Sequence, residues 1–88
     1  MLKPVHTNTF EKDVKLALKR GKNLDKLKAV IELLIEEKPL GARNKDHRLV
    51  GNYVGRRECH IEPDWLLIYK KTDDTIIFER TGSHSDLF

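Results

Sequence analysis

The chain has 88 residues, 39% of them hydrophobic and 35% charged, with a net charge of +3. That is the length and balance of one small globular domain, residues 1–88, and it excludes a disordered tract, a fibrous repeat and a separate regulatory module. No apolar run approaches the roughly 20 residues of a membrane span, Met1 to His6 lacks the apolar stretch of an export signal, and Cys59, the single cysteine, permits no internal disulfide, so a cytoplasmic protein is expected.

Lys3 to His6 predicts a short strand, confined to a sheet edge by Pro4. Asn8, with Glu11 three residues on, predicts a helix start of the capping-box kind. Phe10, Val14, Ala17 and Leu18 then make an apolar helix face, and Gly21 stops the helix after Lys19 and Arg20. Asn23 caps a second helix with the stripe Leu24, Leu27, Val30, Ile31, Leu34 and Ile35, closed by Lys38-Pro39. The short link predicts an antiparallel helix hairpin.

After Leu40 the period changes. Gly41 to Lys45 reads as loop and Arg48 to Tyr53 as a short strand with a turn near Gly51. Gly55 to Ile61 predicts a strand that sends Arg56, Glu58 and His60 to one face and Arg57, Cys59 and Ile61 to the other. Beyond Pro63-Asp64, the continuous apolar run Trp65 to Tyr69 predicts a central strand, with Trp65 and Tyr69 in the core. Asp73-Asp74 makes the next turn, and Thr75 to Thr81, carrying a core Phe78, makes the last strand before Gly82. The expected fold is α+β, an N-terminal helix hairpin packed on one face of a twisted antiparallel sheet. The other face is left to Glu58, His60 and basic side chains.

The helical lysines read as solvated faces. A second basic group, Arg43, Lys45, Arg48, Arg56 and Arg57, differs because it surrounds histidines. Histidine is the side chain that gains and loses its proton near neutral pH. Cutting RNA requires a base for the 2′-hydroxyl proton, an acid for the leaving 5′-oxygen and cations for the phosphorane charge. His47, His60 and His84, with Glu58, Asp64 and the arginines, supply those parts without a nucleophilic side chain. A lone histidine is more often structural than catalytic, and His6 takes that reading. A zinc site from His47, Cys59, His60 and His84 is disfavoured, because adjacent residues on a strand point to opposite faces. No metal or cofactor is therefore expected, and Cys59 reads as a small buried residue. Phe88 reads as a ring free to stack on an exposed base.

Lys45-Asp46-His47, Leu49 and Gly51, the run Arg57-Glu58-Cys59-His60-Ile61-Glu62-Pro63-Asp64-Trp65, and the ending Glu79-Arg80-Thr81-Gly82-Ser83-His84 with Leu87-Phe88 resemble the YafQ-type toxins of the RelE/ParE superfamily. The resemblance covers nearly the whole chain. It implies two helices on a twisted sheet, a metal-independent endoribonuclease that cuts messenger RNA in the ribosomal A site, and a cognate antitoxin. It also implies that His47, His60, Asp64 and His84 carry activity and that Phe88 contributes. Glu58 stands where some relatives have aspartate. His84 is expected as general acid and either His47 or His60 as base, with Asp64 orienting an imidazole. Arg57 has two readings, a clamp on the scissile phosphate or a structural pairing on the opposite face. Arg48, Arg56 and the helical lysines are expected to grip ribosomal RNA. The toxin alone is expected to be a monomer, with no membrane partner. The alternatives are a gyrase poison of the ParE type, for which an acid–base trio has no use, and a non-catalytic nucleic-acid-binding module.

Overall fold

The computed structural model describes residues 1–88, the side chain of Asn52 excepted. In chain order it has β1 (Lys3–His6), α1 (Asn8–Lys19), α2 (Leu24–Ile35), β2 (His47–Arg48), β3 (Arg57–Glu62), β4 (Trp65–Lys71), β5 (Thr75–Gly82) and α3 (His84–Leu87). Short 3-10 turns at Ala42–Asn44 and Gly51–Tyr53 flank β2. The strands form one sheet in the order β1-β5-β4-β3-β2. No helix among the described residues is long and apolar enough to cross a membrane.

Both long helices begin and end for local reasons. The α1 cap is Thr7, whose side chain accepts from the Phe10 amide, one residue before the expected Asn8. Gly21, at φ 79°, ends the helix: its amide reaches the Leu18 carbonyl and the Lys22 amide reaches that of Ala17. Leu18 is 60% exposed, contrary to its expected place on the apolar face. A helix turns about 100° per residue, so Leu18 lies about 80° from Phe10 whereas Ala17 lies about 20° away. Asn23 caps α2 as expected, accepting from the Asp25 amide.

The sheet is mixed and not wholly antiparallel. β2 to β5 run antiparallel in sequence, but β1 pairs parallel with β5, from Lys3 opposite Thr75 to His6 opposite Phe78. The helices carry the chain from β1 to the far edge, and the meander then builds back until β5 arrives alongside β1. The Lys3 and Thr7 amides donate to Asp74 and Phe78, so the donors facing β5 are odd-numbered and Pro4 lacks a hydrogen only on the open side. β2 is also shorter than expected, ending at Arg48, because Gly51 and Gly55 take left-handed backbone at φ 73° and 86° and fold the chain out of the sheet.

The main core lies between helices and sheet. Phe10, Ala17, Leu27, Val30 and Leu34 meet Cys59, Trp65, Leu67, Tyr69, Ile76 and Phe78. The opposite face is not bare. Leu66 and Ile68 pack with Leu87 of α3 and with Leu49 and Tyr53. This explains the continuous apolar run of β4: odd positions feed one core, and Leu66 and Ile68 feed the other. α3 thus lies over the face that carries the candidate site.

Candidate active site

The β2–β3 pairing puts His47 opposite Glu58, and the β3–β4 pairing puts Glu58 opposite Ile68 and His60 opposite Leu66. His47, Glu58 and His60 therefore share the face of Leu66, Ile68 and α3. The register between β4 and β5 slips after Ile68, so that Ile68 faces Arg80 while Tyr69 faces Phe78. This bulge turns Arg80 onto the site face, away from the core face of Phe78. Arg80, which was not among the expected site residues, donates from its guanidinium to both carboxylate oxygens of Asp13 of α1 at 2.7 and 3.3 Å.

α3 delivers His84. Ser83 caps it in a reciprocal box with Asp86, and Arg20, the C-cap of α1, grips Asp86 through both guanidinium nitrogens at 2.6 and 3.2 Å. The Arg20 guanidinium, then the Ser83 amide, holds the Asp86 carboxyl well below the usual carboxylate range. The first turn of α3 faces Asp64, which follows the β3–β4 turn residue Pro63. One oxygen of Asp64 accepts from both the His84 amide at 2.9 Å and the His84 Nδ1 at 2.6 Å. Those bonds, the backbone one first, hold the Asp64 carboxyl below its ordinary value.

Hydrogen-bond partners distinguish the three rings. The His60 Nδ1 donates to the Pro63 carbonyl at 3.2 Å and its own carbonyl accepts from the Asn44 side chain, so its Nε2 is the basic nitrogen of the neutral ring. The His84 Nδ1 is committed to the Asp64 carboxylate, so its Nε2 is the nitrogen left for a substrate. His60 and His84 stand with ring centroids 5.7 Å apart. His47 differs, since both its nitrogens are engaged: Nδ1 with the Arg48 carbonyl at 3.0 Å and Nε2 with Glu58 at 2.9 Å. Glu58 is 5% exposed and its Oε1 is buried without a partner among the described residues.

The other expected site residues divide. Phe88 is 63% exposed at the rim and meets Tyr53 edge to face at 5.4 Å. Arg56 binds Glu79 at 2.7 Å and the Val54 carbonyl. Arg48 is exposed. Arg57 does not join the histidines. It donates to Asp46, which also accepts from the buried Tyr69 hydroxyl, so the structural pairing is the one formed. Lys22 and Lys26 are tied to Glu62, while Lys12, Lys15 and Lys19 are exposed. Cys59 is fully buried on the helix side, where burial pushes its thiol up to about 12. The set with Cys59 is thus no metal site, but ligand atoms of His47, Glu58 and His60 lie within 4.8 Å of one another, a spacing able to hold a cation.

Residues 2–88 match the family described as the bacterial toxin of the type II toxin-antitoxin system, YafQ. The chain is 52% identical over 84 residues to the mRNA interferase toxin YafQ of Escherichia coli K12, covering 94% of this chain and 91% of that one. It superposes on the toxin in the crystal structure of the E. coli DinJ-YafQ toxin-antitoxin complex with a TM-score of 0.92 at 50% identity, covering 99% of this chain and 97% of that one. A metal-bound toxin from Helicobacter pylori matches with a TM-score of 0.93 at 41% identity over the whole of both chains. With the family matched over all but the first residue, this chain belongs to the YafQ toxins of bacterial type II toxin–antitoxin systems.

Proposed function

We propose that the protein is a messenger-RNA endoribonuclease that cuts in the ribosomal A site, with His60 as general base and His84 as general acid. The observation that carries this reading is the pairing of a His60 whose Nε2 has no hydrogen-bond partner among the described residues with an Asp64-bound His84 whose centroid is 5.7 Å away. Two rings at that separation fit on either side of one phosphodiester.

In this mechanism the His60 Nε2 takes the proton of the 2′-hydroxyl as that oxygen attacks phosphorus. The P–O5′ bond breaks, and the His84 Nε2–H protonates the departing 5′-oxygen. The products are a 2′,3′-cyclic phosphate and a free 5′-hydroxyl. Asp64 keeps the His84 ring oriented through its bonds to Nδ1 and to the amide. His47, with both nitrogens occupied, is held by Glu58 beside the reacting centre and leaves the proton transfers to the other two rings. Phe88 offers a face to a base of the message, and Arg48, Lys12, Lys15 and Lys19 are exposed cations for ribosomal phosphates. A domain this small has little surface for reading sequence, and a codon presented by the ribosome removes that need. By analogy with the DinJ-YafQ complex, a cognate antitoxin restrains it. The paired histidines disfavour gyrase poisoning and simple binding, neither of which needs an acid and a base.

The test is primer extension on ribosomes programmed with a defined message, with arms lacking ribosomes, carrying His84→Ala, or containing a chelator. Cuts in the A-site codon that need the ribosome and His84 are expected. Cleavage abolished by the chelator transfers the catalytic charge to a cation held by His47, Glu58 and His60. Ribosome binding without cleavage by the wild-type protein overturns the proposal.

A further inference from the structure

We propose that Tyr53 is a positioning residue that holds the Phe88 ring in its working orientation and acts on the reaction through that ring. The inference rests on the ribonuclease reading, because it assigns Phe88 a base to stack on.

Tyr53 closes the 3-10 turn Gly51–Tyr53, which begins at Gly51 with φ 73° and is followed by Gly55 with φ 86°. A Cβ at either glycine would meet nothing within 4 Å, so backbone geometry and not crowding requires them. The turn sets the Tyr53 ring against the small core of Leu66, Ile68 and Leu87. From there it makes two contacts with the end of α3. Its hydroxyl donates to the Leu87 carbonyl at 3.2 Å, and its ring meets that of Phe88 edge to face at 5.4 Å, planes 75° apart. The bond fixes the backbone just before Phe88, and the ring contact fixes the side chain itself. Val50 and Val54, 84% and 66% exposed, stand in the same loop as an apolar border.

An exposed aromatic ring left free must lose rotamer freedom when it binds, and that loss subtracts from stacking. Phe88 is 63% exposed yet tethered on one edge, which leaves a face open and limits the orientations it can take. Tyr53 is not placed for proton transfer, since its hydroxyl is committed to a carbonyl. Its effect should therefore fall on substrate binding and not on the pH dependence of cleavage.

The experiment compares wild type, Tyr53→Phe, Tyr53→Leu, Phe88→Leu and the Tyr53→Leu/Phe88→Leu double variant. Cleavage kinetics are taken on ribosome-bound and on free RNA, and thermal melts report folding. Tyr53→Leu should raise KM about tenfold with an unchanged pH profile, and Tyr53→Phe, which keeps the ring, should lose less. The double variant should be no worse than Phe88→Leu alone, as expected when two residues act through one contact. If Tyr53→Leu does not fold, Tyr53→Phe still tests the hydroxyl tether through KM. Multiplying losses in the double variant, a shifted pH profile, or unchanged kinetics in both Tyr53 variants overturns the proposal. The amide ¹⁵N–¹H heteronuclear NOE of Phe88 gives a readout independent of activity and should fall in the Tyr53 variants. A wild-type protein that cuts no RNA defeats the ribonuclease reading, whereas an unchanged Phe88 NOE defeats the tether.

Discussion

Asp64 uses a single carboxylate oxygen to accept two hydrogen bonds from His84, at 2.6 Å from the ring and 2.9 Å from the amide. One contact alone would leave the imidazole free to swing. Two, sharing an acceptor, couple ring direction to the start of α3. The carboxylate is therefore both the hydrogen-bond partner of the ring and the seat of the helix that carries it.

Asp64→Asn keeps the shape of that seat and removes its charge. Its kcat is expected to fall about 10²-fold, within the range assigned to a positioned acid or base. The melting temperature should barely move, because the pair is exposed and such pairs contribute little to folding. Single-turnover cleavage and thermal melts on the same preparation separate the two effects, and equal losses in both would reduce Asp64 to a structural role.

Asp86 predicts an acid limit for α3. Arg20 first, and the Ser83 amide next, depress its carboxyl in the folded state. A depressed folded value contributes stability above the unfolded carboxylate value of 3.8, and that contribution is lost as pH falls through the folded value. Wild type and Asp86→Asn should differ in melting temperature at neutral pH and converge in strong acid. The Asp64–His84 contact should open over the same acid range, seen in the His84 ring signals by NMR. A difference that persists unchanged into strong acid would contradict the pairing.

Much of the fold is legible in the sequence, for physical reasons. The stripe of α2 and the alternation over Gly55 to Ile61, realised as β3 at Arg57–Glu62, are periodic signals, and the apolar run from Trp65 to Tyr69 reports a strand covered on both faces. The failures lie where neighbouring solutions cost nearly the same. Thr7 and Asn8 are both good helix caps, and sequence spacing could not rank them. Leu18 sits at the margin of an apolar arc. The parallel pairing of β1 depends on where two helices return the chain, which no local pattern encodes. In the site, the histidines and their grouping with Glu58 and Asp64 are legible in the sequence, but the partner of each ring nitrogen is not. The β5 bulge that turns Arg80, the 3-10 turn that places Tyr53, and the Arg20–Asp86 grip on α3 are all tertiary features.

Thr81 is a buried joint between β4 and β5. Its hydroxyl donates to the Leu66 carbonyl at 2.7 Å and accepts from the Trp65 indole at 2.9 Å. Thr81→Val fills the same volume and leaves the Trp65 indole N–H unsatisfied in a dry core. The expected cost is about 1–3 kcal/mol, read as a shift in the urea midpoint. Activity below the new melting transition should be largely kept, since neither group faces the histidines.

Cys59 should be chemically silent. It is fully buried, and its thiol is pushed up to about 12 by burial first and then by Asp46 and Glu58. The thiolate is the reactive form, so Ellman's reagent at pH 8 should label none of the folded protein and all of it in guanidinium. Rapid labelling of the native protein would place Cys59 outside the core.

Gly82 is required by closeness and not by backbone conformation. A Cβ there would lie 3.0 Å from both Cβ and Oδ2 of Asp86. Asp86 cannot simply rotate aside, because the same carboxylate accepts from the Ser83 amide at 3.0 Å and binds Arg20 at 2.6 Å. Gly82→Ala must therefore break the α3 cap or push the helix away, and either motion draws His84 off Asp64. Gly41→Ala is the control, since a Cβ there meets only the Asn44 Oδ1 at an ordinary 3.7 Å. Cleavage by Gly82→Ala should fall at least tenfold, a barrier rise of about 1.4 kcal/mol, while Gly41→Ala stays near wild type. In Gly82→Ala, NMR should also show the ring of His84 no longer bonded to Asp64. If Gly82→Ala cleaves as wild type does, α3 has room to shift without carrying the histidine with it.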